Sequence, residues 1–169
     1  SGKKDAENES VKAAHVVLAA PPRVLLQNIG LAQYLPATLS QKLLATPTWM
    51  AAQAKFVAIY QRPFWREEGL SGDAFSRVGP MVELHDASTD GASDTDSIYA
   101  LFGFVGVLSS VRNQHESGVL EQHCLNQLVD IFGESAAQPL HYYLKDWAQD
   151  PWVATEQDKV EAPSHPHIA

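Results

Sequence analysis

A single cysteine, Cys124, and only two methionines occur in 169 residues, so an intramolecular disulfide and a cysteine-rich zinc site are both excluded. That usage fits a reducing compartment, and a cytoplasmic location is the expectation. Basic charge is also scarce: 12 Lys and Arg face 20 Asp and Glu, a formal net charge of −8. Such a balance has the wrong sign for a nucleic acid or anionic membrane partner recruited by general basicity. Long apolar runs are missing too. Residues 16–20 and 99–108 fall far short of the roughly 20 residues that a membrane helix needs, and the polar opening has no signal-peptide core. No Gly-x-Gly-x-x-Gly, Gly-x-Ser-x-Gly, Walker loop or His-Glu-x-x-His occurs. Ser1-Gly2 reads as an expression remnant, and the chain as a piece of something longer.

What is present is enough for one core, since 45% of the residues are hydrophobic. Residues 15–20 read as a short strand stopped by Pro21-Pro22. Pro36 suits a helix's first turn, with Leu39, Leu43 and Leu44 on one face. A strand over 50–61 is broken by Arg62-Pro63, and Phe64-Trp65 offers a large apolar anchor. Glycines at 69, 72 and 79 punctuate a hairpin-like region with strands over 74–77 and 81–85. The near-continuous apolar run 98–107 is the best candidate for a central strand covered on both faces, with Gly103 and Gly106 expected to admit a tightly packed helix or, as the alternative, the close approach of a ligand. Apolar positions Leu120, Cys124, Leu128, Ile131 and Phe132 repeat at three to four residues, so 118–132 is the longest helix, capped by Gly133. A last strand follows Pro139. Without regular βαβ alternation, the expected class is α+β, a mixed or antiparallel sheet packed against helices.

Four positions invite chemistry. Asp90, Asp94 and Asp96 crowd an acidic loop over 86–97, but the spacing and the missing twelfth-position glutamate do not make a calcium hand. His165 and His167 flank a proline in the tail, and no metal is expected there. Cys124 lacks a base on its own helix azimuth and reads as a core thiol. Lys55 is different, because it opens an apolar strand and shares a face with Val57 and Ile59. Two readings stand: a lysine snorkelling to water along its stem, or one aimed into a polar cavity at the core's edge.

The ordered set Val16-Val-Leu-Ala-Ala-Pro-Pro-Arg, Leu35-Pro, Lys55 with Tyr60 and Pro63-Phe-Trp, Gly103-Phe, His141-Tyr and Asp146-Trp resembles the substrate-binding domain of flavin-dependent amine oxidases. The resemblance runs from Val16 to Trp152. It implies a polar lead-in over 1–14, a substrate domain over 15–152, and a tail over 153–169 leading toward a flavin segment absent from this chain. In that family the dinucleotide fingerprint lies upstream, so FAD would be held by another domain of the same polypeptide and this chain alone would be inactive. Aligned by Pro63-Phe64-Trp65, Lys55 matches the family lysine that holds a water against flavin N5. The family passes hydride from the carbon beside an amine nitrogen to the flavin and returns the electrons to oxygen, so a small amine is the implied substrate. One departure stands out: where monoamine oxidases place a tyrosine of an aromatic cage, this chain has Gln157. Gln157 is thus the candidate substrate contact, with Glu156 and Asp158 as either cation-meeting groups or plain loop carboxylates. The rival expectation is a self-contained, non-enzymatic α+β ligand-binding module with Lys55 at its surface.

Overall fold

The structure, a computed structural model, describes residues 10–89, 97–114, 116 and 118–160. Asp90, Asp94, Asp96, His165 and His167 lie outside the described residues. At its centre is one five-stranded sheet in the order β2-β3-β4-β1-β5. The strands are β1 (Ala54–Tyr60), β2 (Ala74–Phe75), β3 (Met81–Asp86), β4 (Tyr99–Val105) and β5 (His141–Asp146), and every pairing is antiparallel. With its helices this is an α+β fold, and β4 occupies the middle of the sheet.

Alternation along β1 explains how the sheet is covered. Ala54, Phe56, Ala58 and Tyr60 are buried while Lys55, Val57 and Ile59 are half-buried, a period-two pattern that assigns opposite faces. On the buried face Phe56, Met81, Leu84, Leu101 and Val105 meet Leu120, Cys124, Leu125, Leu128 and Phe132 of the long helix α5 (Val119–Phe132). A fully buried phenylalanine of this kind contributes about 1.5–3 kcal/mol. Burial pushes the Cys124 thiol up to about 12, helped by the charge of Glu121, so this sulfur stays protonated and inert. The anchor after Pro63 forms a short helix, α3 (Phe64–Glu67), in which Trp65 is fully buried and stacks edge-on against Phe64 and Tyr60. Tyr60 donates its hydroxyl to the Ala136 carbonyl at 3.1 Å.

Gly103 does not admit a helix. A Cβ there would lie 2.5 Å from the sulfur of Met81 on the neighbouring strand, and one at Gly106 would lie 2.4 Å from a Val82 methyl. Both glycines make room for β3 side chains, because the register shift between Met81 and Glu83 skews that strand against β4. Among the described residues, the coverage expected on both faces of β4 is found on one.

Residues 15–20 are not a strand: they join no sheet among the described residues, and Val16 and Val17 are 76% and 88% exposed. An extended segment is a strand only when another backbone takes its hydrogen bonds. Pro22 opens helix α1 (Pro22–Asn28), its missing N–H costing nothing in a first turn. The amphipathic helix forms as α2 (Ala37–Ala45), yet Leu39 and Leu44 remain largely exposed.

Two buried arginines bridge segments distant in the sequence. Arg23 donates to Asp158 at 2.7 Å and to the Leu44 carbonyl at 2.8 Å, linking α1, α2 and α6 (Glu156–Val160). Arg112, in the short helix α4 (Ser109–Arg112), grips both Asp146 oxygens at 2.6 and 2.8 Å and donates to the Ala52 carbonyl at 2.8 Å. No described helix is long and apolar enough to cross a membrane.

Candidate functional site

The face of the sheet turned away from α5 carries a different chemistry. Its register places Lys55 beside Phe104 on one side and Lys145 on the other, with Val57 beside Phe102 and Tyr143. On the far side of β4, Glu83 pairs with Phe104 and His85 with Phe102. Alternation therefore gathers Lys55, Val57, Phe102, Phe104, Glu83, His85 and Tyr143 onto one open surface. It reads as an aromatic strip with a cation at one end and carboxylates at the other.

Lys55 is half-buried, and its ammonium stands 4.5 Å from the Phe104 ring centroid and 5.1 Å from that of Phe102. Among the described residues it forms no ion pair, so the two π faces are its electrostatic company. This arrangement follows the snorkelling expectation only in part, and among the described residues no polar cavity is seen around the ammonium. The stem lies along apolar surface, as snorkelling requires, while the charge stays on the open face instead of escaping past the strand's end. Lys145 is engaged elsewhere, reaching Asp150 at 2.8 Å and covering the Trp147 ring at 4.8 Å. Lys55 is thereby left as the cation facing the aromatic strip.

At the other end His85 bridges two carboxylates, with Nδ1 3.0 Å from Asp73 and Nε2 2.9 Å from Glu83. Partial burial works to lower its pKa, but hydrogen bonds and charge from Glu83 and Asp73 prevail and hold it above the ordinary imidazole value. Its ring also leans on Phe102 at 5.2 Å and on Phe104 at 6.5 Å. The aromatic pair is thus flanked by Lys55 and His85.

The residues expected from the sequence land in two places. Lys55 is on this face. Gln157 sits exposed on α6, whose neighbouring Asp158 is buried against Arg23, Thr48 and Thr155. Asp158 is therefore no exposed loop carboxylate, and its four acceptor contacts leave it no role toward a substrate. Glu156 pairs with Lys159 at 2.6 Å. Phe102, Glu83 and His85 escaped the sequence reading, although alternate positions in 81–86 and 99–105 carried the signal. A cavity of about 480 Å³ lies on the α5 side, lined by Val78, Pro80, Leu120, His123, Gln127 and Ile131 among others, away from Lys55.

This chain is similar to known proteins in both architecture and sequence. Residues 3–167 match the flavin containing amine oxidoreductase family, and the chain belongs to that family. It is 31% identical over 148 residues to putrescine oxidase of Kocuria rosea, covering 85% of this chain and 29% of that protein. It is 25% identical over 155 residues to amine oxidase [flavin-containing] B of Sus scrofa, covering 87% of this chain and 28% of that protein. The solved cyclohexylamine oxidase from Brevibacterium oxydans IH-35A superimposes with a TM-score of 0.65 at 30% identity, over 86% of this chain and 31% of its own. The chain thus spans roughly three-tenths of the length of these relatives.

Proposed function

We propose that this chain is the substrate-binding part of an FAD-dependent amine oxidase, and that Lys55 is its residue at the flavin. The observation that carries the reading is a lysine held without an ion pair on an open aromatic sheet face, in a chain of this family. FAD suits that face in part. The sequence has no glycine-rich loop to cradle a pyrophosphate, so the dinucleotide would be held by the FAD-binding domain of the same polypeptide. Lys55, Phe102 and Phe104 would form the wall facing the flavin ring and the substrate. When bound, the flavin accepts hydride from the carbon beside the amine nitrogen and passes the electrons to oxygen.

The chain's own residues then have definable tasks. Lys55 donates hydrogen bonds to a water on the flavin side and keeps a positive charge near where electrons arrive. Phe102, Phe104 and Val57 exclude bulk water and orient the substrate's carbon chain, favouring a neutral reacting amine. Gln157 would contribute a polar contact in place of an aromatic cage wall. The exposed Val16, Val17 and Leu18 fit the same division, since an exposed segment this apolar suits a surface covered by the flavin-binding domain. On this reading residues 15–152 form the substrate domain and the chain alone is inactive.

The test is made on the longer protein that contains this segment. It should purify with flavin absorbance, bleach anaerobically on adding a primary amine, and yield hydrogen peroxide in air. This chain by itself should stay colourless after reconstitution with FAD. Stoichiometric flavin in the isolated chain would overturn the division of labour, and a longer protein without flavin would overturn the function.

A further inference from the structure

Lys55 is the second residue of β1, close to where the sheet's own hydrogen bonding runs out. Val105, Ala54 and Asp146 stand side by side as the terminal pairs of β4, β1 and β5, and one step further in lie Phe104, Lys55 and Lys145. Past the terminal pairs the regular ladder stops, and a single guanidinium takes over. Arg112 donates to the Val107 carbonyl beyond β4, to the Ala52 carbonyl before β1 at 2.8 Å, and to both oxygens of the Asp146 carboxylate that ends β5, at 2.6 and 2.8 Å. Its side chain is 3% exposed, so solvent competes little for these four bonds.

The same contact governs the neighbour of Lys55. Lys145 is its direct cross-strand partner, and two ammoniums placed opposite each other repel. Lys145 instead turns away to the Asp150 carboxylate and the Trp147 ring, both in the turn that follows β5. Asp146 holds that turn: its Oδ1, which Arg112 grips, also accepts from the Ala148 N–H at 3.0 Å. The Trp147 N–H in turn donates to the Gln53 carbonyl at 3.0 Å, two residues before Lys55.

We infer that Arg112 is a positioning residue for Lys55: it fixes the start of β1 and, through Asp146, the turn that draws Lys145 aside, so that the Lys55 ammonium stays over Phe102 and Phe104. The inference rests on the assignment of Lys55 to the flavin side. Buried behind the strand ends, Arg112 acts through Lys55 alone. The task suits arginine and not lysine, because four bonds leave three nitrogens of one rigid fork, and a single ammonium reproduces neither the two-pronged grip on Asp146 nor its spread to two carbonyls.

The experiment is a double-variant cycle in the full-length FAD-loaded protein, read by stopped flow in both half-reactions. Arg112→Lys should slow the half-reaction that Lys55→Met slows, by roughly tenfold to a hundredfold, the usual penalty for displacing a reacting group by about 1 Å. In a Lys55→Met background the same substitution should change that rate by less than about twofold, because the group it positions is gone. A residue that merely holds the fold slows both backgrounds alike, so equal slowing overturns the inference and leaves the proposed function standing. Asp146→Asn passes through the same cycle with the same expectation, and decides the matter if Arg112→Lys fails to fold. A second readout is the NMR signal of Lys55 dimethylated with labelled formaldehyde, assigned by its absence from Lys55→Met. Ring faces at 4.5 and 5.1 Å should shift it upfield of the exposed lysines, and Arg112→Lys should return it toward them. An unchanged Lys55 signal in Arg112→Lys overturns the inference whatever the kinetics. Wild-type rates in Lys55→Met overturn the role of Lys55 at the flavin, and a signal that still moves in Arg112→Lys then leaves the positioning standing.

Discussion

Replacing Lys55 with methionine separates a functional lysine from a structural one, because the structure limits how much stability that side chain can carry. Its ammonium lies over two rings at 4.5 and 5.1 Å and takes no ion pair among the described residues. Cation–π contacts at half-exposed sites contribute about 0.5–1 kcal/mol each, and a methionine sulfur over the same rings recovers about 0.3–1.5 kcal/mol. The net change should therefore stay within about 1 kcal/mol, roughly 2–4 °C in Tm for a domain of this size. Loss of a positioned group that organises a proton-carrying water is a larger effect, typically about 10²–10⁴-fold in rate. Stopped-flow absorbance of the full-length enzyme, reduced anaerobically by amine and then reoxidised by oxygen, reads the two half-reactions separately. At least one should slow by tenfold or more in Lys55→Met while Tm is nearly unchanged. Lys55→Arg should restore charge without the compact ammonium and recover only part of the rate. Wild-type rates in both half-reactions of Lys55→Met would remove the residue from the mechanism.

Two further substitutions probe the scaffold. Asp158→Asn should destabilise the fold by about 1–3 kcal/mol in urea unfolding, because it removes the buried carboxylate that accepts from Arg23, Thr48 and Thr155. Burial alone would raise the Asp158 pKa, but Thr155, Thr48 and Arg23 together hold it below the usual 3.8. A depressed folded-state pKa gives stability that is present above the unfolded value and lost as pH falls through the folded one, so wild type and Asp158→Asn should converge in strong acid. A constant gap between pH 7 and pH 2 would refute that linkage. Gly103→Ala should cost about 1–3 kcal/mol by overpacking against Met81, and Met81→Ala in the same chain should relieve the clash. Additive losses in the double variant would show that the two sites do not meet.

The sheet, the long helix and the strand face that carries Lys55 were legible because each rests on local periodicity. The stripe from Leu120 to Phe132 has a helical period, and the alternation from Ala54 to Tyr60 has a strand period, so element and face follow together. The run before Val107 misled for a physical reason: Phe102 and Phe104 are apolar without being interior, and hydrophobicity alone does not distinguish a core wall from a half-open face. Arg23 with Asp158 and Arg112 with Asp146 were invisible because their partners lie 135 and 34 residues away. Gly103 was recognised as a place of close approach, but whether a helix or Met81 approaches depends on a register shift that no single strand encodes. His85 and Glu83 were missed for the same reason. Their significance comes from lying across β4 from Lys55, a relation created only by pairing.

That pairing also explains how one thin sheet serves two demands. Packing requires one face to be dry and tightly fitted, and Phe56, Leu101 and Leu128 provide that, with the Cys124 thiol among them kept protonated by burial. Chemistry requires charges held at fixed separations on a surface that another body can close. The odd-numbered positions of β1 and β3 provide Lys55, Glu83 and His85, while β4 between them supplies Phe102 and Phe104 as spacer. Because side chains alternate strictly, substitutions on the open face should alter amine selectivity with little effect on the core, and substitutions at Phe56 or Leu101 should do the reverse. A slip of one residue in the β1–β4 register would exchange the two faces, burying Lys55 against α5 and exposing Phe56. The large cost of a buried, unpaired ammonium therefore protects the site's geometry as well as the fold.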